Sequence, residues 1–108
     1  MSYRVVFSPE AGEQLAALYG YIAAAASPVI AARYTEAVVA YCESLQSFPR
    51  RGTMRDDVRS GLRICNYKKR TVIAFEVEAE QVSIIGVFYG GQDYETVLQG
   101  NSEDGTEH

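Results

Sequence analysis

Two Ser-Pro pairs, Ser8-Pro9 and Ser27-Pro28, constrain this chain more than any other feature. In each, the serine hydroxyl is placed to accept from an N–H of the first helical turn. The proline after it has its φ already set for a helix and no N–H to leave unpaired. Glu10 adds a carboxylate at the positive end of the first helix. Two helix starts this close leave room for one helix between them and almost no linker, so the helices must double back as a hairpin. On the first, Leu15, Leu18, Tyr19 and Ile22 recur at i, i+3, i+4 and i+7, and the alanines from Ala23 to Ala26 carry it on. Gly20 costs about 1 kcal/mol in a helix interior, and close packing against a neighbour is the expected reason for it. On the second, Ile30, Tyr34, Val38, Tyr41, Leu45 and Phe48 step by three or four until Pro49 blocks continuation.

Ahead of the hairpin, Tyr3, Val5 and Phe7 alternate with Arg4, Val6 and Ser8, the period of a strand with one strongly apolar face. After it comes a polar, glycine-punctuated loop, Arg50–Gly61, and then three strand-like segments with short turns: Leu62–Tyr67, Thr71–Glu78 and Val82–Tyr89. Ile73, Phe75 and Val77 share one face. In the last segment Ile84 and Phe88 are expected to oppose Ile85 and Val87, which makes that strand apolar on both faces and places it mid-sheet. The expected fold is α+β: a strand, a two-helix hairpin and a three-stranded antiparallel meander, with the helices on one face of the sheet. One domain is expected over 1–97. From 98 to 108 an acidic tail follows, Gly- and Ser-rich from Asn101 to His108, with the composition of a disordered segment. No helix is then left for the other sheet face, and an open apolar strip there needs a partner.

At 108 residues the chain suits a single core. Its longest nearly apolar stretch, Leu15 to Ala26, is too short to cross a bilayer, and the N-terminus has no secretory pattern, so the cytoplasm is expected. Cys42 and Cys65 lack metal-like spacing and read as small buried hydrophobes. The single histidine, His108, is the last residue; no metal site, cofactor or histidine base is expected. The net charge of −4 conceals an uneven distribution. Between Arg50 and Arg70 stand eight lysines and arginines against two aspartates, whereas after Gln92 there are five acids and no cation. An anionic or acidic partner should meet the middle of the chain.

The order of these elements and the wording of their motifs resemble the ParE branch of the RelE/ParE toxins over about residues 3–95. Tyr3-Arg4-Val5-Val6-Phe7-Ser8-Pro9-Glu10-Ala11 is similar to the family's strand-to-helix entry, and Ala31-Ala32-Arg33-Tyr34 to the start of its second helix. Phe48-Pro49-Arg50-Arg51-Gly52 resembles its proline–glycine loop, Ser60-Gly61-Leu62-Arg63 its strand entry, and Val87-Phe88-Tyr89-Gly90-Gly91-Gln92-Asp93 its last strand and turn. The resemblance implies a bacterial type II toxin with two protein partners. One is a ParD-like antitoxin whose C-terminal segment wraps the toxin; the other is DNA gyrase as target. RelE-type relatives cleave ribosome-bound mRNA instead, and that is the alternative activity.

A nuclease needs a base for the ribose hydroxyl, an acid for the leaving oxygen and cations for the phosphate. The cations are present. Tyr67, Tyr89, Tyr94, Lys68 and Lys69 are the nearest approach to a base, and the strand end reads Tyr89-Gly90-Gly91, without the arginine or histidine such nucleases often place there. No catalytic residue is therefore assigned, and no sequence-specific nucleic-acid binding or membrane contact is expected. An antitoxin helix laid in the hairpin groove would meet Leu15, Leu18, Tyr19, Ile22, Tyr34 and Tyr41, its acids meeting Arg55, Arg59 or Arg63. The target surface is expected around Arg63, with Arg59, Tyr67 and Lys68. For Lys68, Lys69 and Arg70 a solvated turn is the competing explanation. Arg63, in a strand on the less apolar face with Cys65 and Tyr67, is equally readable as a plain edge arginine.

Overall fold

Both serine caps form: Ser8 Oγ accepts from Ala11 N at 3.0 Å and Ser27 Oγ from Ile30 N at 3.2 Å. They open α1 (Pro9–Ala25) and α2 (Pro28–Glu43), and α2 runs into a 3-10 turn, Ser44–Gln46, that seats Leu45 in the core. The computed structural model describes residues 3–103. Its strands are β1 (Arg4–Phe7), β2 (Thr53–Met54), β3 (Leu62–Tyr67), β4 (Thr71–Glu78) and β5 (Gln81–Tyr89), followed by α3 (Tyr94–Glu103). They form one sheet in the order β1-β5-β4-β3-β2. The meander β3-β4-β5 is antiparallel, and β1 returns to pair parallel with β5 from Gln81 to Ile84. β5 is thus an interior strand over that stretch only, and the middle of the sheet is β4 rather than β5 as expected, because only the short β1 lies beyond β5. The short strand β2 lies inside the segment expected to be loop, and pairs with β3 through Thr53 and Met54. No helix among the described residues is long and apolar enough to cross a membrane.

The hairpin packs on one sheet face. Val38, Cys42 and Leu45 meet Cys65, Ile73, Phe75, Val82, Ile84 and Val87, with Tyr3, Val5 and Phe7 packed at the side. Both cysteines are buried free thiols. Ile73, Phe75 and Val77 share this face as the alternation predicts, but β5 departs from the expected pattern. Ala74 pairs with Gly86 while Phe75 pairs with Ile84, so Ile85 is an extra residue in the ladder. Such a bulge shifts the alternation by one. Ile84 and Val87 therefore look toward the helices, and Ile85 and Phe88 look away. Gly86 permits this arrangement: a Cβ there would lie 2.5 Å from Cε2 of Phe88, whose ring folds over the glycine.

The other sheet face is covered, contrary to expectation. Leu62, Ile64, Ala74 and Phe88 are sealed by Val58, from the segment after β2, and by Leu98 of α3. The boundary expected at 97/98 thus falls inside a docked helix, with Leu98 only 3% exposed. Composition alone hid it, because only Leu98 and, at the start of the helix, Tyr94 pack on the sheet from an otherwise acidic and polar segment. The tail expected from Asn101 lies in α3 as far as Glu103, and the rest of it lies outside the described residues. Gly20 meets no neighbour at the place a Cβ would occupy, so the close packing expected there is not found. Ile30 and Phe48, expected on the buried stripe of the second helix, are exposed at 50% and 65%. Ile30 lies in the first turn, and the 3-10 turn puts Phe48 out of phase with the helical period.

Candidate functional site

Tyrosines from α1, α2 and the sheet meet at the end of the sheet where β3 turns into β4 and β5 ends. Tyr21 lies 5.8 Å from Tyr89, which lies 5.9 Å from Tyr34; Tyr34 is 6.0 Å from Tyr67, and Tyr67 is 5.3 Å from Tyr41, centroid to centroid. These are tilted or edge-on pairs, the arrangement ring quadrupoles favour. The stripe continues into the loop, where the Arg51 guanidinium stands 5.5 Å from the ring centres of both Tyr41 and Phe48. One hydroxyl is fixed: Tyr34 OH and Thr71 Oγ1 share a 2.7 Å hydrogen bond, with Thr71 fully buried.

Beside the stripe, Lys68, Lys69 and Arg70 connect β3 to β4; Lys68 and Lys69, with φ of 54° and 64°, are the central pair of a turn closed by Arg70 N–H on Tyr67 O at 3.3 Å. A hairpin turn of that kind favours Asn-Gly, and a residue with a Cβ held in the left-handed region costs about 1–2 kcal/mol. The Lys68 ammonium lies 5.8 Å from the Tyr67 ring centre. Both ammoniums and the following Arg70 are exposed.

The three arginines expected to receive a partner's acids are instead engaged within the chain. Arg55 Nη2 pairs with Asp57 at 2.8 Å and Glu95 at 2.9 Å, while its Nη1 donates to Tyr94 OH at 2.6 Å. Its hydrogen bond to Asp57, then that to Glu95, raise its already high pKa further, and Asp57 is correspondingly held below the usual carboxylate range by the Arg55 bond. Arg59 Nε lies 3.6 Å from Glu76. Arg63 Nη1 donates to the carbonyls of Arg50 at 2.9 Å and Arg51 at 3.4 Å, tying the loop to β3. Its neighbours Cys65 and Tyr67 belong to the helix-facing core, so the face it projects from is not the less apolar one. Arg50, Arg51, Lys68, Lys69 and Arg70 have no acidic partner among the described residues.

The residues expected in one hairpin groove divide among three places. Leu18 and Ile22 are buried with Ala31 between the helices, and Tyr34 and Tyr41 belong to the tyrosine stripe. Only Leu15 and Tyr19 line the open groove between α1 and α2, about 430 Å³, which has Val39 on its floor and Glu36 and Glu43 on its rim. Sequence periodicity locates a helix's apolar arc but not which part of it the sheet covers.

Burial, against the pull of the Arg51 hydrogen bond, holds the Tyr41 phenol above its ordinary value, and burial pushes the Cys42 thiol up to about 12. Among the described residues no cluster of three or more His, Cys, Asp or Glu side chains is placed to hold a metal.

A family model described as the ParE toxin of the type II toxin–antitoxin system ParDE matches residues 5–94. No curated protein matches the chain. Among solved structures, a chain of the chromosomal ParDE toxin–antitoxin system from P. aeruginosa superposes with a TM-score of 0.73 at 18% identity, covering 82% of this chain and 97% of that one. The aligned family segment runs from β1 through the tyrosine stripe and the basic turn to the first residue of α3. This chain belongs to the ParE toxin family of type II toxin–antitoxin systems.

Proposed function

We propose that this ParE-family chain is the toxin of its pair, neutralised by a ParD-type antitoxin, and that it inhibits DNA gyrase by binding rather than by chemistry of its own. One observation carries the second part. Arg51, Lys68, Lys69 and Arg70 border a tyrosine stripe, without acid partners among the described residues. Such a surface attracts an acidic protein face or the DNA an enzyme holds, and tyrosine and arginine are the side chains that dominate binding hot spots. Within the target surface expected from the sequence, Tyr67 and Lys68 keep their role and Arg70 joins them. Arg63 acts through the loop it ties, and Arg59 is balanced by Glu76. For the antitoxin, the α1–α2 groove offers Leu15 and Tyr19 to an apolar helix. Its glutamate rim favours basic flanks on that helix, not the acidic ones expected from the sequence.

The test is a supercoiling and DNA-cleavage assay with purified gyrase, with and without antitoxin, alongside primer extension on mRNA from induced cells. Inhibited supercoiling or trapped cleaved DNA, reversed by antitoxin, with mRNA intact, is the expected outcome. Growth arrest with gyrase untouched refutes the target, and codon-dependent mRNA cuts abolished by Tyr89→Phe or Arg70→Ala would establish the RelE-type activity instead.

A further inference from the structure

β1 ends at Phe7, opposite Ile84, where the Ser8 N–H closes the parallel ladder on Ile84 O at 2.9 Å. β5 runs on to Tyr89, so from Ile85 onward it is paired on its β4 side only. Beyond the bulge, the Gly90 N–H faces β4, bonding Arg70 O at 2.9 Å, and alternation turns the N–H groups of Val87 and Tyr89 away from β4, into the place a continued β1 would occupy. Neither is left bare. Gln14 Oε1 accepts from Val87 N at 2.7 Å, and Gln92 Oε1 accepts from Tyr89 N at 2.8 Å. Two glutamine carboxamides, one from α1 and one from the turn before α3, stand where a strand's peptide carbonyls belong.

The space beside this edge is a cavity of about 480 Å³ between α1 and the end of β5, lined by Gln14, Leu18, Tyr21, Arg70, Tyr89 and Gln92. Outward N–H groups two residues apart repeat at about 6.7 Å, the spacing of alternate carbonyls on an added strand. A carboxamide and a peptide group accept alike, so replacing one by the other exchanges hydrogen bonds of the same kind and costs little. Leu18 supplies an apolar wall, and Arg70 on the lining, next to Lys68 and Lys69, has no acid partner among the described residues.

We infer that the outer edge of β5 from Ile85 to Tyr89 is a strand-addition site, held closed by Gln14 and Gln92. It takes an extended partner segment in which acidic residues alternate with apolar ones. The segment's carbonyls replace the two glutamines, an acidic side chain meets Arg70, and an apolar one meets Leu18. The inference rests on the antitoxin reading above for the source of the segment, which would be the part of the antitoxin that is extended, distinct from a helix in the α1–α2 groove.

The experiment uses the whole toxin, nitrogen-15 labelled, titrated with a short capped peptide of alternating valine and glutamate. A valine–lysine peptide and a thymidine oligonucleotide serve as controls. Saturable shifts and slowed hydrogen exchange at the Val87 and Tyr89 amides are expected with the first probe alone. Arg70→Gln should weaken binding about tenfold, through loss of a charge-assisted bond. Gln92→Ala should tighten it about fivefold, because a competing plug is removed, and a purely structural role for Gln92 predicts no such gain. Unmoved amides, equal binding of the lysine peptide, no tightening in Gln92→Ala, or an oligonucleotide that shifts these amides when the peptide does not would each overturn the site. With antitoxin, neutralisation that leaves both amides exchanging freely overturns this inference and leaves the antitoxin reading intact. A peptide that binds as described, to a toxin no ParD-type protein neutralises, does the reverse.

Discussion

Leu98→Ala is the sharpest test of the cover on the second sheet face. The side chain is 3% exposed and packs with Val58, Leu62, Ile64, Ala74 and Phe88. Truncation removes three carbons' worth of buried apolar surface, about 2.4 kcal/mol at roughly 0.8 kcal/mol per group, and the residual cavity brings the expected loss to about 3 kcal/mol. Against a total stability on the order of 5–15 kcal/mol this is large, and the thermal midpoint should fall by about 12 °C or more. Urea unfolding followed by circular dichroism measures it, and the slope should be unchanged if the native state stays compact. Because α3 is the only helix on that face among the described residues, a loosened helix should also expose Phe88 and Leu62 to a hydrophobic dye before the main transition. Pairing the change with Val58→Ala should give a coupling of about 0.5 kcal/mol or more, since both side chains seal one cluster. A loss below about 0.5 kcal/mol, or strict additivity with Val58→Ala, refutes the docked helix.

Tyr34→Phe strips the fully buried Thr71 hydroxyl of its partner and should cost about 1–2 kcal/mol, most of it recovered when Thr71→Val is added; a neutral single change disproves the bond. Asp93 caps α3 by accepting from the Thr96 hydroxyl at 2.6 Å and the Thr96 N–H at 3.2 Å, and the hydroxyl bond first, then the backbone bond, hold its carboxyl below the usual range. Its folded value is the lower one, so its contribution is complete above the unfolded value of about 3.9 and is lost as pH falls through the folded value. Dye binding on acid titration should therefore set in at a different pH in Asp93→Asn, and identical titrations rule the cap out. Cys42, fully buried with its thiol pushed up to about 12, should resist alkylation at pH about 8 until the protein is unfolded, which mass spectrometry with and without urea decides.

Local chemistry alone placed the two capped helices, the first strand and the three-stranded meander, because capping, proline geometry and side-chain period act within a few residues of one another. Ser8-Pro9 and Ser27-Pro28 start helices wherever the chain leads. The same reasoning could not find the bulge at Ile85: Gly86 within a strand is the available signal, but only the folded sheet shows the slip in register and the Phe88 ring lying where a side chain at Gly86 would stand. That slip reverses the faces of Val87 and Phe88 and aims the Val87 and Tyr89 N–H groups at Gln14 and Gln92, partners no pattern in the sequence links. Charge went the same way. Clustering marked Arg50 to Arg70 as basic, yet Glu76 and Glu95, distant in sequence, decide that Arg59 and Arg55 are neutralised while Lys68 and Arg70 are not. The acidic stretch after Gln92 concealed α3 because composition averages over residues, whereas burial of the single side chain of Leu98 depends on an apolar sheet face that exists only once the meander has folded.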